Sequence, residues 1–387
     1  MNDIKILVVD DSCLYQRVLS DVINEHPRLN VVGVAGNGKI ALEMVEALNP
    51  VLLTLDILMP EMDGIQTLIE LRKRWPGIRT IMLSSLTSEG SDAALDALAL
   101  GASEYSPKPR ASDGVQSIRD SLNIDLIPKI EALCDIDEVS VTNETDKSKV
   151  SQSYTKGSSM AGMSGPLDLI AIGVSTGGPD ALTKLFSQLP ADLNVPVVIV
   201  QHMPPTFTTK LAARLDSASS LKVREAQVGD KLRAGTVYLA PGDYHMVLDK
   251  IGDDVIVNLN QNSPENSCRP SVDALFRSIP DIYGSRCLGV IMTGMGRDGF
   301  KGSEDLVDAG CSVIVQDKYS SVVWGMPKLV AMAGLAEEEV PLDKMASAIL
   351  ARARIEHTSL SAVQQGIGTV ASNSDEYFQK NRAGYER

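Results

Sequence analysis

Short apolar runs recur along this chain at a steady interval, beginning with Ile4-Lys-Ile-Leu-Val-Val9, and each is followed by a stretch whose apolar positions fall three and four residues apart. A run of four to eight aliphatic residues reads as a strand and the longer period as a helix. From residue 4 to about 133 the alternation predicts strands near 4–9, 30–35, 51–55, 79–83 and 104–106, with a helix after each. Strands this apolar have no wet face, so five βα units predict a parallel sheet covered on both sides, a small doubly wound, flavodoxin-like domain.

The pattern stops between 134 and 165, where ten of 32 residues are Ser or Thr. Such a segment reads as a flexible linker with a root-mean-square span of roughly 30 Å. After Pro166 the alternation returns, with strands near 168–173, 195–200, 286–292 and 311–316. These predict a second doubly wound α/β domain, Rossmann-like and three-layered. Gly-Asp, Pro-Gly-Asp and Gly-Asp-Asp turns crowd residues 222–260, which predicts an inserted antiparallel meander. The expected organisation is a first domain over 1–125, a helix end and linker over 126–165, a second domain over 166–355, and a polar tail over 356–387.

Charge narrows the partners. Fifty acidic against 36 basic residues leave a net charge of −14, without the clustered Lys and Arg that nucleic acid or anionic lipid requires. No apolar run approaches the roughly 18 residues that span a bilayer, and the amino terminus lacks a basic-then-apolar leader. Cys13, Cys134, Cys268, Cys287 and Cys311 form no C-x-x-C pair, so neither a disulfide framework nor a zinc site is expected, and a reducing, cytoplasmic setting is.

Function in open α/β sheets gathers at the carboxyl ends of the strands. In the first domain those ends carry Asp10 and Asp11, Asp56, Ser84 and, after the fifth strand, Lys108. Three converging carboxylates repel one another, and a hard divalent cation such as Mg²⁺ relieves that repulsion. With the metal bound, one carboxylate serves as nucleophile toward a phosphoryl group whose oxygens Lys108 and the Ser84 hydroxyl hold. Asp10-Asp11, Leu55-Asp-Ile-Leu-Met-Pro-Glu-Met-Asp-Gly64 and Pro107-Lys-Pro109 resemble a response-regulator receiver domain. The resemblance implies that Asp56 is phosphorylated, that Asp10 and Asp11 hold Mg²⁺ with it, and that Ser84, Tyr105 and Lys108 report the phosphate.

In the second domain Gly173-Val-Ser-Thr-Gly177 stands between a predicted strand and a predicted helix, where a tight turn exposes a serine hydroxyl. Ser175 then needs a base, and the chain holds four histidines: His26, His202, His245 and His357. His202 follows the 195–200 strand and can face Ser175 across neighbouring strands; His26 and His357 lie outside the domain's core, and packing accounts for His245 within the meander. Asp298, just after the 286–292 strand, is placed to orient the histidine, with oxyanion donors expected from backbone N–H groups near Thr176 and Met295. The order Ser, His, Asp differs from the Ser, acid, His of α/β-hydrolases.

Ile172-Gly-Val-Ser-Thr-Gly-Gly178, Gln201-His-Met-Pro-Pro205, Arg269-Pro-Ser-Val-Asp273 and Met292-Thr-Gly-Met-Gly-Arg-Asp-Gly299 together resemble the catalytic domain of the chemotaxis protein-glutamate methylesterases. That resemblance implies hydrolysis of glutamate methyl esters, and deamidation of glutamines, on chemoreceptors. It implies a histidine kinase as phosphodonor and no cofactor for the hydrolase. Two other readings compete. Gly294-Met-Gly-Arg-Asp-Gly299 satisfies G-x-G-x-x-G, yet as a dinucleotide site it sets the Asp298 carboxylate beside a pyrophosphate and leaves Ser175 and His202 idle. The other is a non-enzymatic regulator whose second domain binds DNA or a partner protein: DNA is opposed by the acidic second half and the absence of a helix-turn-helix pattern, and a catalytically dead scaffold by the retention of Ser175, His202 and Asp298.

Overall fold

The computed structural model describes residues 3–85, 87–110, 112, 114–134 and 167–353. The expected linker beyond 134 and the expected tail lie outside these residues.

The first domain runs β1 (Ile4–Val9), α1 (Cys13–Glu25), β2 (Leu29–Ala35), α2 (Gly38–Leu48), β3 (Leu52–Asp56), α3 (Gly64–Arg74), β4 (Arg79–Ser85), α4 (Ser88–Ala99), β5 (Glu104–Lys108) and α5 (Val115–Leu133). All strands are parallel in the order β2-β1-β3-β4-β5, so the order reverses at β1 and β3. β3 is buried along its whole length, as a central strand with helices on both faces must be. Helix α3 starts sharply because Asp63 and Gln66 form a reciprocal capping box. Its first residue must be glycine: a Cβ on Gly64 would sit 2.2 Å from the Asp56 carbonyl oxygen. That close approach fixes the end of β3, and with it the Asp56 side chain.

The second domain contains β6 (Leu169–Val174), α6 (Gly178–Phe186), β7 (Val197–Gln201), α7 (Pro205–Ala218), β8 (Lys222–Glu225), β9 (Thr236–Leu239), β10 (His245–Ile251), β11 (Asp254–Asn260), α8 (Val272–Arg277), α9 (Pro280–Tyr283), β12 (Cys287–Ile291), α10 (Phe300–Asp308), β13 (Ser312–Gln316), α11 (Met326–Met332), β14 (Glu338–Val340) and α12 (Leu342–Arg352). Seven parallel strands lie in the order β14-β13-β12-β6-β7-β9-β8. Helices α6, α7 and α12 supply one buried face and α8, α10 and α11 the other, giving three layers.

The antiparallel insertion is smaller than the turn signals predict. Among the described strands only β10 and β11 pair antiparallel, closed by Gly252 at φ 62°, with a single antiparallel bridge from Lys231 to Ile256 beside them. β8 and β9 extend the main sheet as parallel strands, because the edge of β7 offers its unpaired backbone groups to β9 in that direction.

Candidate functional site

Residues 173–178, 201–205 and 292–299 leave the carboxyl ends of β6, β7 and β12, the three strands at the sheet's centre. The strand order therefore brings together the strand ends that carry Ser175, His202 and Asp298, the last two 96 residues apart in the chain. Gly177 at φ 76° turns the chain into α6, and the Ser175 amide is tied to the Thr293 carbonyl at 3.0 Å. A Cβ on Gly294 would lie 2.8 Å from that of Ser175, so glycine alone lets the two loops meet. Gln201, buried at the end of β7, donates from Nε2 to the Ser175 carbonyl at 3.0 Å and locks the turn from the other side.

Asp298 is 2 % exposed and saturated with donors. Its Oδ2 accepts from the Val272 amide at 2.6 Å and lies 2.7 Å from His202 Nε2. Its Oδ1 accepts from Ser271 Oγ at 2.7 Å, Asn266 Nδ2 at 3.0 Å and the Asp273 amide at 3.1 Å. Burial would raise this carboxyl, but the His202 contact, the Val272 amide and the Ser271 hydroxyl outweigh it and hold the group down at about 2. An ionised Asp298 fixes the histidine tautomer, since a carboxylate only accepts and Nε2 must carry the hydrogen. Burial presses the His202 imidazole downward, and its electrostatic interaction with Cys268 together with the Asp298 hydrogen bond more than reverses this, raising it to about 10. Its other nitrogen, Nδ1, lies 3.5 Å from Cys268 Sγ.

No acceptor among the described residues takes the backbone N–H of Thr176 or Met295, the two positions expected to line the site. Thr176 is buried, and its carbonyl accepts from Thr293 Oγ1 at 2.9 Å. His245 is structural: its Nδ1 accepts from the Ser271 amide at 3.2 Å and its Nε2 meets the Ser263 carbonyl at 3.1 Å. The Gly294–Gly299 loop turns the Asp298 carboxylate onto His202.

At the receiver sheet Asp10, Asp11 and Asp56 bring a carboxylate oxygen each to within 4.8 Å of one another. Lys108 Nζ lies 2.6 Å from Asp56 Oδ2 and 2.7 Å from Asp10 Oδ2, and sits 4.4 Å over the Tyr15 ring. Oδ2 of Asp10 is buried yet not aligned for a hydrogen bond, an acceptor that suits a cation. Burial, against the pull of Lys108, lifts Asp56 to about 6 and raises Asp10 as well. Ser84 Oγ donates to the Gly90 carbonyl at 2.6 Å, in the first turn of α4.

The two sheets meet through α4 and β5 on one side and α6 and α7 on the other. The Tyr105 ring stacks on Phe207 at 4.5 Å between centroids and 15° between planes. One turn apart on each helix, Lys210 pairs with Asp92 at 2.7 Å and Arg214 with Asp96, while Arg214 also donates to the Leu95 carbonyl. Met295 and Val323, on the loops that follow β12 and β13, pack on the first domain's hydrophobic cluster that includes Ile118 and Leu122 of α5. Buried Glu104 reaches the Gly177 amide, and burial raises its carboxyl although Lys129 and that amide pull it down.

Gln201 and Ser271 lie within motifs the sequence offered, Gln201–Pro205 and Arg269–Asp273, but no sequence signal gave either a role in the candidate site, and Asn266 and Cys268 lie outside every motif.

Both halves of the chain match known families. The family model for the CheB methylesterase matches residues 170–349, and that for the response regulator receiver domain matches 6–119. A protein-glutamate methylesterase/protein-glutamine glutaminase of Trichodesmium erythraeum is 44% identical over 352 residues, 91% of this chain and 99% of that protein. One from Pyrococcus horikoshii is 38% identical over 355 residues, 90% of this chain and 93% of its own length. Among solved structures, the catalytic domain of Thermotoga maritima CheB methylesterase is 42% identical, covering 49% of this chain and 99% of that one with a TM-score of 0.47. With both domains matched in this order along nearly the full length of its relatives, the chain belongs to the protein-glutamate methylesterase/protein-glutamine glutaminase family.

Proposed function

We propose that this protein is a phosphorylation-gated serine hydrolase that cleaves glutamate methyl esters, and glutamine side-chain amides, on chemoreceptors. The observation that carries the reading is the buried, ionised Asp298 against His202 at strand ends neighbouring that of Ser175. With Nε2 protonated toward Asp298, Nδ1 is the basic nitrogen. Ser175 Oγ gives its proton to Nδ1 and bonds to the ester carbonyl carbon, and the amides of Thr176 and Met295 receive the negative oxygen. His202 returns the proton to the leaving methoxide, methanol departs, and the same base activates a water that releases the carboxylate. For an amide substrate the leaving group is ammonia.

Asp56 is the phosphoryl acceptor in this reading, and Asp10, Asp11 and Asp56 would hold Mg²⁺, which supplies charge neutralisation at the transferring phosphoryl group. Lys108 pairs with the phosphoryl oxygens in place of its present carboxylate partners. The Ser84 hydroxyl, swung from the Gly90 carbonyl to the phosphate, draws the start of α4 with it, and Tyr105 leaves Phe207. Before that event the receiver covers Met295 and Val323 and obstructs a protein substrate. A histidine kinase of the chemosensory pathway serves as donor. Among the described residues no helix is long and apolar enough to cross a membrane, and a cytoplasmic setting suits the five free thiols.

The test is methanol release from methyl-labelled chemoreceptor membranes by wild type and Ser175→Ala, each with and without a small phosphodonor and Mg²⁺. Release that requires Ser175 and rises with phosphodonor is expected. A phosphorylated wild type that releases none refutes the assignment.

A further inference from the structure

A second carboxyl is buried behind the one that meets His202. Asp273 is 4 % exposed, and its backbone amide donates to Asp298 Oδ1 at 3.1 Å. Its own Oδ1 accepts from the Gly302 amide at 2.7 Å, in the first turn of α10, and its Oδ2 accepts from Asn266 Nδ2 at 2.8 Å. The same Nδ2 donates to Asp298 Oδ1 at 3.0 Å. A primary amide nitrogen carries two hydrogens, and here each goes to a different carboxyl group. The partners also fix which way the amide faces, because its oxygen in the same place would meet two acceptors.

Asn266 reaches inward from the surface. Its backbone at φ 50° and that of Ser267 at φ 63° form the centre of a tight turn, which Glu265 and Cys268 close with backbone bonds of 3.1 and 2.8 Å. Asparagine tolerates a left-handed backbone and carries a short donor, and this position uses both properties. We propose that Asn266 is a positioning residue acting through Asp298: its amide, anchored on Asp273, holds the Asp298 carboxylate in the orientation that serves His202 and keeps the two carboxyl groups apart. The inference rests on the triad assigned above and adds to it a residue that touches no reacting atom. The turn lines an open groove of about 350 Å³ together with Asp273 and Arg297, so water enters where the side chain is cut away. Loss of the amide therefore harms turnover less than loss of the Asp298 charge.

The experiment measures methanol release by the full chain, with phosphodonor and Mg²⁺ saturating. Wild type, Asn266→Gly, Asn266→Asp, Asp298→Asn, Ser175→Ala and the double variant Asn266→Gly with Asp298→Asn are compared. Glycine adopts the left-handed turn without strain, so Asn266→Gly removes the amide alone. Its turnover falls roughly ten- to a hundredfold with KM unchanged. Asn266→Asp, with the same shape but an acceptor where the donor was, falls further at neutral pH. In the Asp298→Asn background Asn266→Gly lowers turnover no more, because no carboxylate is left to position. A residue that merely held the loop together would subtract the same factor in both backgrounds. Wild-type turnover in Asn266→Gly or Asn266→Asp, or equal losses in the two backgrounds, overturns the proposal. Undiminished hydrolysis in Ser175→Ala or in Asp298→Asn overturns the triad instead, which separates the two failures.

Discussion

Replacing Lys210 and Arg214 together by alanine isolates the electrostatic part of the interdomain contact. Both side chains are about a third exposed, and their partners Asp92 and Asp96 more than half, so each ion pair contributes only about 0.2–1 kcal/mol. The charged hydrogen bond from Arg214 to the Leu95 carbonyl adds on the order of 1 kcal/mol after allowance for solvent. The double variant therefore weakens docking by about 2 kcal/mol, roughly thirtyfold in the docking constant. The Tyr105–Phe207 stack and the contacts of Met295 and Val323 stay intact, so docking is loosened rather than abolished. Methanol release without phosphodonor is the assay. The unstimulated rate should climb by up to that factor, limited by the phosphodonor-stimulated rate, which itself stays constant. Restoring the pair in reversed polarity, with Asp96→Arg and Arg214→Asp, should bring the low rate back. An unstimulated rate that does not move, from a variant that melts normally, refutes the idea that docking obstructs the site.

Asp298→Asn, which keeps the shape but loses the charge that orients His202, should cost roughly 10⁴ in turnover with little change in KM, read from initial rates. Asp56→Asn should stabilise the Mg²⁺-free protein above neutral pH. The folded carboxyl titrates near 6 against an ordinary 3.8, so native stability falls as pH rises through that window, by at most about 3 kcal/mol. Thermal melts at pH 5 and pH 8 check this: the wild type should lose more between them than Asp56→Asn. Gly294→Ala should remove activity together with some stability, because the new Cβ meets Met326 Sδ at 2.5 Å and Ser175 Cβ at 2.8 Å; a variant as active as wild type sinks the close-packing argument.

The strand-end residues were legible because each stands immediately after an apolar run: Asp10 after β1, Ser175 after β6, His202 after β7. Chain order then follows from the strand-end rule without any knowledge of distances. Where reasoning from sequence fell short, the cause is pairing at a distance. Lys222–Glu225 is too short to declare its direction, which is set by partners on β9; the Gly-Asp turns around it therefore mislead. Glu338–Val340 carries two exposed acids in three residues, and nothing in its own pattern marks a sheet edge. The shell around Asp298 comes from residues 266–273; the Arg269–Asp273 motif places that loop in the same domain as position 298, but no period in the sequence shows that it wraps the carboxylate. Asp92 and Asp96 likewise reveal their role only when α7 is set beside α4.

In the function proposed above the Tyr105 ring belongs to the receiver's switch, and in the structure it rests on Phe207 of the second domain. A side chain held in common makes the two domains thermodynamic effectors of each other, and linkage requires the influence to run equally both ways. If phosphorylation frees the hydrolase for a receptor helix, then a receptor helix seated on the hydrolase must by the same free energy favour the phosphorylated receiver. Substrate would thereby prolong the active state of the enzyme that consumes it, and demethylation would end its own stimulus.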